Sequence, residues 1–368
     1  MAHKHPHLRP VPDIEVEANA FLTEMVDSPD PYDLLSFVSG SLEQGLRGEP
    51  SGDTFEPDFE GTVESFLDGV LASNDRAMSA ALHVMAALLR SDPVAVPINN
   101  ELRRRTWPLP QWVLDIDNII IESTAHATGP YGDSDEIIIV ARWPSGDPII
   151  GLLSVNHSLG TIPVDGFFLD LDLAGFIAVN EEMEGDHPEI RELDPAETRA
   201  RVEQALVRLD DTGILFENDT WPNDRPIIEW LASHLPAGGA GYVRPEWSEG
   251  DVDDLVAGFA VSEWGKPFVD DGDAYYVLDG MMHYAVLDGS GDPTRWTPGA
   301  AEVFLTALLP EVGPDPSRYL AAARRVMPAF IRHVHSGGDV TEELTTATLE
   351  VVDLYTGDQS PEQGTFDF

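Results

Sequence analysis

The 368-residue sequence has no cysteine and only two lysines, Lys4 and Lys266. The first absence removes disulfides, thiolate nucleophiles and thiolate-bound metal clusters together, and it fits a cytoplasmic protein. The second leaves arginine to carry nearly all the positive charge, and 21 basic residues face 66 carboxylates for a net charge of -45. Such a surplus repels a phosphate backbone, so direct nucleic-acid binding is not expected. No apolar run approaches the roughly 20 residues that a membrane-spanning helix needs. The first residues, MAHKHPHLRPVPD, carry basic groups without the apolar segment of a secretory signal.

Chemical signatures are equally scarce. No Gly-x-x-x-x-Gly-Lys-Ser/Thr loop, Gly-x-Ser-x-Gly elbow or helical His-Glu-x-x-His pair occurs, which removes the commonest phosphate cradle, acyl-transfer nucleophile and zinc-protease arrangement. Gly238-Gly239-Ala240-Gly241 lacks the flanking strand and helix of a dinucleotide site. Asp288-Gly289-Ser290-Gly291-Asp292-Pro293 begins like a calcium loop, but proline stands where glycine is needed. No cofactor is predicted from these segments.

What is present is a chain able to bury a sizeable core, with 42% hydrophobic residues. Its acids are spread through every region, a halophilic-type surface of the kind that high salt would screen. The patterning predicts an α+β fold with an N-terminal helical unit, a central antiparallel β-meander and a largely helical C-terminal half. Residues 1–13, with His3, His5 and His7, read as a flexible arm. Residues 14–106 read as the helical unit, because Phe59, Val63, Phe66, Leu67, Val70 and Leu71, then Met78, Ala81, Leu82, Met85, Leu88 and Leu89, recur near a period of 3.6. Arg103-Arg104-Arg105 in the following connector are expected to pair with the chain's own carboxylates.

Residues 107–192 read as the sheet region, with strands at 112–124, 136–143 and 149–157 joined by short turns that favour antiparallel neighbours. Residues 193–357 read as mostly helical. Asp194-Pro195 with Glu197 predicts a capped helix start with a capping box, and so does Ser248 with Asp251. Further helices are expected over 227–235, from Thr297-Pro298 and from Asp315-Pro316, the last bent at Pro328. Asp339 and Glu342 are expected to cap the final helix. The apolar runs at 275–278 and 283–287, around Asp279-Gly280, predict a small β-hairpin. His333 and His335 are expected to offset a helix dipole, and 358–368 reads as a tail.

The segment most suggestive of chemistry is Ile149-Ile150-Gly151-Leu152-Leu153-Ser154-Val155-Asn156-His157-Ser158-Leu159-Gly160. On an extended chain the odd positions are apolar up to His157, which places the imidazole at a core margin and leaves Asn156 to cap a turn. The alternative is a reactive centre in which His157 and Asp165 are the catalytic candidates. A divalent ion such as Mn²⁺ or Fe²⁺ would then be held by His157, Asp165 and Asp170, helped by Asp117 and His126. Eight tryptophans, mostly beside Pro, Gly or charged residues, are expected to seal seams between elements more than to anchor a partner.

Val155-Asn156-His157-Ser158-Leu159-Gly160, Asp165-Gly166-Phe167, Arg295-Trp296-Thr297-Pro298 and Leu308-Leu309-Pro310 resemble a pattern in uncharacterised proteins of high-GC bacteria. There an Asp-His-Asn-Leu-Gly run precedes a Lys-Asp-x-Phe element. This chain has Asn156, Ser158 and Val164 where that pattern has Asp, Asn and Lys. The resemblance implies a common architecture beyond Trp107 and no activity. The functional expectation is a non-catalytic intracellular interaction or regulatory protein with a possible protein partner. The alternatives are a divalent-metal-dependent hydrolase centred on His157 and an acidic nucleic-acid mimic. The oligomeric state is not legible.

Overall fold

The computed structural model describes residues 14–28, 30–47, 59–90, 92–182, 188–212, 220–311, 316–338 and 340–357. The arm at 1–13, the tail at 358–368, Asp315 and Asp339 lie outside the described residues. Five helices come first: α1 (Ile14–Asp27), α2 (Tyr32–Arg47), α3 (Phe59–Ala72), α4 (Arg76–Leu88) and α5 (Ala95–Leu102). Asp75 caps α4 by accepting from the Met78 N–H, and the helix buries Ala77, Ala81, Val84, Met85 and Leu88 along one stripe. Arg105 turns inward to Glu101, Ser79 and the Leu71 carbonyl, so this arginine is paired within the chain.

The first strand expected at 112–124 begins later. After Pro110 the chain makes a short helix, α6 (Gln111–Leu114), and a 3₁₀ turn over Ile116–Asn118, tied by bonds from Gln111 and Asn118 to the Asp115 carboxylate. Asp115 and Asp117 therefore stand on helical turns and share no strand face. The sheet then runs β1 (Ile120–Thr128), β2 (Ser134–Arg142), β3 (Pro148–Asn156) and β4 (Ile162–Leu169). Its strand order is β4-β3-β2-β1-β5, where β5 is the short Arg191–Glu192. Every pair is antiparallel, as the short turns joining β1 to β4 in succession require of those strands. Between β4 and β5 lies α7 (Leu173–Glu182), a helix not expected in this region. Asp172 starts it by accepting from the Gly175 N–H, so Asp170 and Asp172 do not share an extended face.

Three helices follow: α8 (Pro195–Thr212), α9 (Arg225–Ser233) and α10 (Glu249–Val261). Ser248 and Asp251 form the expected capping box on α10. On α8 the Asp194 carboxylate does cap, accepting from Ala196 and Glu197 N–H groups. Glu197, however, turns away from the box to Arg201 and to the Ala240 and Gly241 N–H groups.

The hairpin expected at 275–287 is instead a helix, α11 (Gly272–His283), extended by a π-turn over Tyr284–Asp288. Asp271 caps it, and Ala274, Val277, Leu278, Met281 and Met282 form a buried helical stripe, while Tyr275, Tyr276 and Asp279 are exposed. The β-favouring Tyr-Tyr-Val run yields to that stripe, because packing outweighs propensity. The chain ends with α12 (Pro298–Val303), which passes into a π-turn, then α13 (Pro316–Ser336), running through Pro328, and α14 (Glu342–Thr356). Thr341 caps α14 by accepting from the Leu344 N–H.

One core joins the N-terminal helices, one sheet face (Ile137, Ile139, Leu153, Val155) and α8 with α9. A small core under α7 covers the other face at Ile138, Val140, Ile150 and Leu152. The C-terminal helices α10 to α14 enclose a core of their own. Trp143, Trp221, Trp230 and Trp296 are fully buried and close packed seams, whereas Trp107 is largely exposed.

Candidate functional site

The turn 157–161 sits where β3 passes into β4. The Asn156 carboxamide oxygen accepts from the Ser158 N–H at 2.8 Å and the Leu159 N–H at 3.3 Å, an Asx turn that ends the strand. Gly160, with φ of 90°, and Thr161, with φ of 66°, then reverse the chain. Thr161 is the one non-glycine residue with positive φ among the described residues, a conformation held by its surroundings.

The His157 N–H donates to the Asp133 carbonyl at 2.8 Å, which extends the β2–β3 ladder by one pair. Because Asp135 pairs with Val155, two residues away, His157 and Asp135 fall on the same face. The imidazole Nε2 lies 3.5 Å from Asp135 Oδ2, and Nδ1 lies 3.3 Å from Thr161 Oγ1. The ring meets Tyr242 edge to face with centroids 5.0 Å apart. Asp135 also accepts from Thr128 Oγ1 at 2.7 Å and lies 3.4 Å from Arg201 Nη1. Burial would raise its pKa, but the His157 and Thr128 bonds and the imidazole's charge outweigh burial and hold it below the usual carboxylate range. Arg201 lies over the Tyr242 ring at 5.1 Å and is 3.1 Å from Glu197. Burial, reinforced by the Asp135 carboxylate, pushes the Tyr242 phenol well up.

The same turn is a joint. The Ser158 carbonyl accepts from the buried Tyr284 hydroxyl at 2.7 Å, and Ser158 Oγ lies 3.5 Å from Thr297 Oγ1. Leu159 packs against both the first core and the C-terminal core. Gly160 approaches the Asp288 carbonyl so closely that an added Cβ would lie 2.9 Å from its oxygen. Alongside, Arg295 donates to the Tyr131 carbonyl, and Arg244 donates to the Val286 and Leu287 carbonyls, both at 2.8 Å.

The other sequence candidates are not gathered at His157. Asp165 pairs with Ser154 and shares the opposite face with Glu136, whose carboxylate accepts from Ser154 Oγ. Asp165 itself accepts from the Gly166 N–H and Thr220 Oγ1. Asp170 follows the far end of β4, and Asp117 precedes the far end of β1. His126 faces the same side as His157 but pairs with Ile137, four residues along the strands from the 133–157 pair, roughly 13 Å away. Among the described residues no group of three His, Asp or Glu side chains is placed to hold a metal ion. The order Thr161, His157, Asp135 has the sequence of a proton relay, but Thr161 is only 5% exposed within the joint. Two clefts, of about 520 and 470 Å³, lie elsewhere. Trp264, Arg332 and Glu342 help line the first, and Arg76, Pro108 and Trp112 the second.

Two further groups escaped the sequence reading. Asp224 is buried beside Asp165, and burial first, then that neighbouring charge, push its carboxyl up to about 7. His335, expected as a charged dipole partner, is buried and pushed down to about 4. Its Nε2 accepts from the Trp296 N–H at 3.1 Å, so the proton sits on Nδ1, facing Thr345 Oγ1 at 2.9 Å. Asp135 was missed because its partnership depends on the exact hairpin register, with β2 starting at Ser134 and not at 136. No protein-family model matches this chain, and no curated protein or solved structure matches it with significance.

Proposed function

We propose that this chain is a non-catalytic interaction or regulatory protein of the cytoplasm, built around a rigid joint between a sheet-bearing half and a helical half. The observation that carries this reading is the use made of the one segment that resembles a reactive centre. Asn156 caps the turn, His157 bonds within its own half, and the Ser158 carbonyl receives Tyr284 from the other. Leu159 enters both cores. Groups committed in this way give conformational coupling between halves, which a protein that responds to a partner needs.

The acidic, lysine-poor composition supports a working environment of high salt, where carboxylate repulsion is screened. Among the described residues no helix is long and apolar enough to cross a membrane. The cytoplasmic location is part of the proposal and rests on the cysteine-free composition.

The test has two arms. Affinity capture from the native cytoplasm at high and low salt, followed by reconstitution with purified candidates, is expected to give a defined stoichiometric complex. A protein that stays a partnerless monomer in every condition would count against the reading. Calorimetric titration with Mn²⁺ is the second arm. Stoichiometric binding that disappears in His157→Ala would replace this reading with the metal-hydrolase one.

A further inference from the structure

Arg208 and Arg244 are two half-buried arginines on neighbouring segments of this acidic chain. Arg201, Gln204 and Arg208 lie at i, i+3 and i+7 on one face of α8. Residues 240–244 run parallel to the helix along that face: Ala240 and Gly241 donate to Glu197 at 2.8 and 3.2 Å, and the Tyr242 N–H donates to Gln204 Oε1 at 2.6 Å. From Gln204 to Arg208 the helix rises about 6 Å. From Tyr242 to Arg244 an extended chain advances about 7 Å, so the two arginines come level.

Arg244 is held in place by the Val286 and Leu287 carbonyls. Both residues are half-buried at the seam between α8 and the turn that ends α11. Burial and then the neighbouring Arg244 charge both disfavour the Arg208 guanidinium, and no carboxylate opposes them. Arg244 is likewise disfavoured by burial, and the Asp288 carboxylate opposes this. Among the described residues Arg208 has no hydrogen bond or ion pair, in a chain with 66 carboxylates to choose from.

We propose that Arg208 and Arg244 form a binding site for a phosphate group. Two neighbouring guanidinium groups offer a dianion the N–H donors of Arg208 and those of Arg244 that are not given to the Val286 and Leu287 carbonyls. A bound phosphate would also bridge the two halves of the molecule, since Arg244 is anchored to the C-terminal one. The site lies beside the His157 turn without using its side chains, and it stands whether or not the reading of that turn does. The long-range field of the chain opposes anions at low salt. Binding is therefore expected to strengthen as the Debye length falls toward about 3 Å near 1 M salt.

The experiment is calorimetric titration of the full chain with inorganic phosphate at constant high NaCl. Wild type is expected to bind one phosphate, with affinity reduced at least about tenfold in Arg208→Gln and in Arg244→Gln. Arg103→Gln, a change at an exposed arginine of the connector, is expected to match wild type. Arg208→Gln carries the decision, because Arg208 has no hydrogen bond or ion pair to lose among the described residues and circular dichroism can verify its fold. Absence of saturable binding at millimolar phosphate, or equal binding by Arg208→Gln, would overturn the site. Acetate binding as tightly as phosphate at matched ionic strength would overturn the assignment to a phosphate group.

Discussion

His157 Nε2 and Asp135 Oδ2 lie 3.5 Å apart on one face of the β2–β3 ladder, with the Asp135 side chain only 6% exposed. A carboxylate this deep is tolerated because Thr128, His157 and Arg201 surround it. Its pKa is held below the ordinary 3.8, so its contribution to stability is fully present above that value and is lost as pH falls through the lower folded value. Asp135→Asn is expected to cost about 2 kcal/mol at neutral pH. Urea denaturation of both proteins across pH should show the gap closing below pH ~4. A gap that persists unchanged at pH ~2 would remove the charge from the explanation.

Asp224 has the opposite sign. Its carboxyl titrates near 7 in the folded protein against 3.8 unfolded, so the folded state binds the extra proton between those values and loses stability as pH rises through them. Asp224→Asn retains an oxygen for the Phe168 N–H and removes the charge facing Asp165. The variant is expected to be more stable than wild type by about 2–4 kcal/mol at pH ~8 and nearly neutral at pH ~4. Thermal melts at those two values test this, and a variant that is destabilised at both would contradict it.

Much of this arrangement was legible in the sequence where one local rule acted alone. The Ser248 and Asp251 capping box needs only four residues, and β3 announced itself as an Ile-rich run between turns. Legibility failed where two rules competed or where distance entered. At Gly272–His283 the β propensity of Tyr275, Tyr276 and Val277 pointed one way and the spacing of Ala274, Val277, Leu278 and Met281 the other, and only a partner core could decide between them. The Asp135 and His157 pairing depends on a register 22 residues apart in sequence, and a strand start misplaced by two residues was enough to hide it. Burial of His335 depends on Trp296 arriving from another element, which no local pattern records.

His335 gives a pH effect confined to the helical half. Its folded pKa of about 4 lies below the ordinary 6.5, so the neutral ring stabilises the fold above 6.5 and that stability is lost as pH falls toward 4. Protonating Nε2 would also set a donor against the Trp296 N–H. The His335 contribution alone is expected to fall by up to about 3 kcal/mol over this window, opposite in sign to that of Asp224. Unfolding followed by hydrogen exchange in α13 and α14 locates the loss, and His335→Gln should flatten that slope while lowering stability at pH ~7 by about 1–2 kcal/mol. A slope of equal size in the variant would assign it to other groups.

The joint itself is tested by comparing two glycines with similar backbones and different surroundings. Gly160 has φ of 90° and would press a Cβ to 2.9 Å from the Asp288 carbonyl oxygen, whereas Gly146 has φ of 103° and open space around it. Alanine at either position carries the backbone strain of the left-handed region, about 1–2 kcal/mol, but only Gly160→Ala also forces the two halves apart. Leu159→Ala removes the side chain that enters both cores without adding strain. If the turn couples the halves, calorimetry should show one melting transition in wild type and in Gly146→Ala, shifted down in the latter. Gly160→Ala and Leu159→Ala should each resolve two transitions, the halves then unfolding separately. A single transition in all four proteins would mean that Arg244 and Arg295 hold the halves together without the turn.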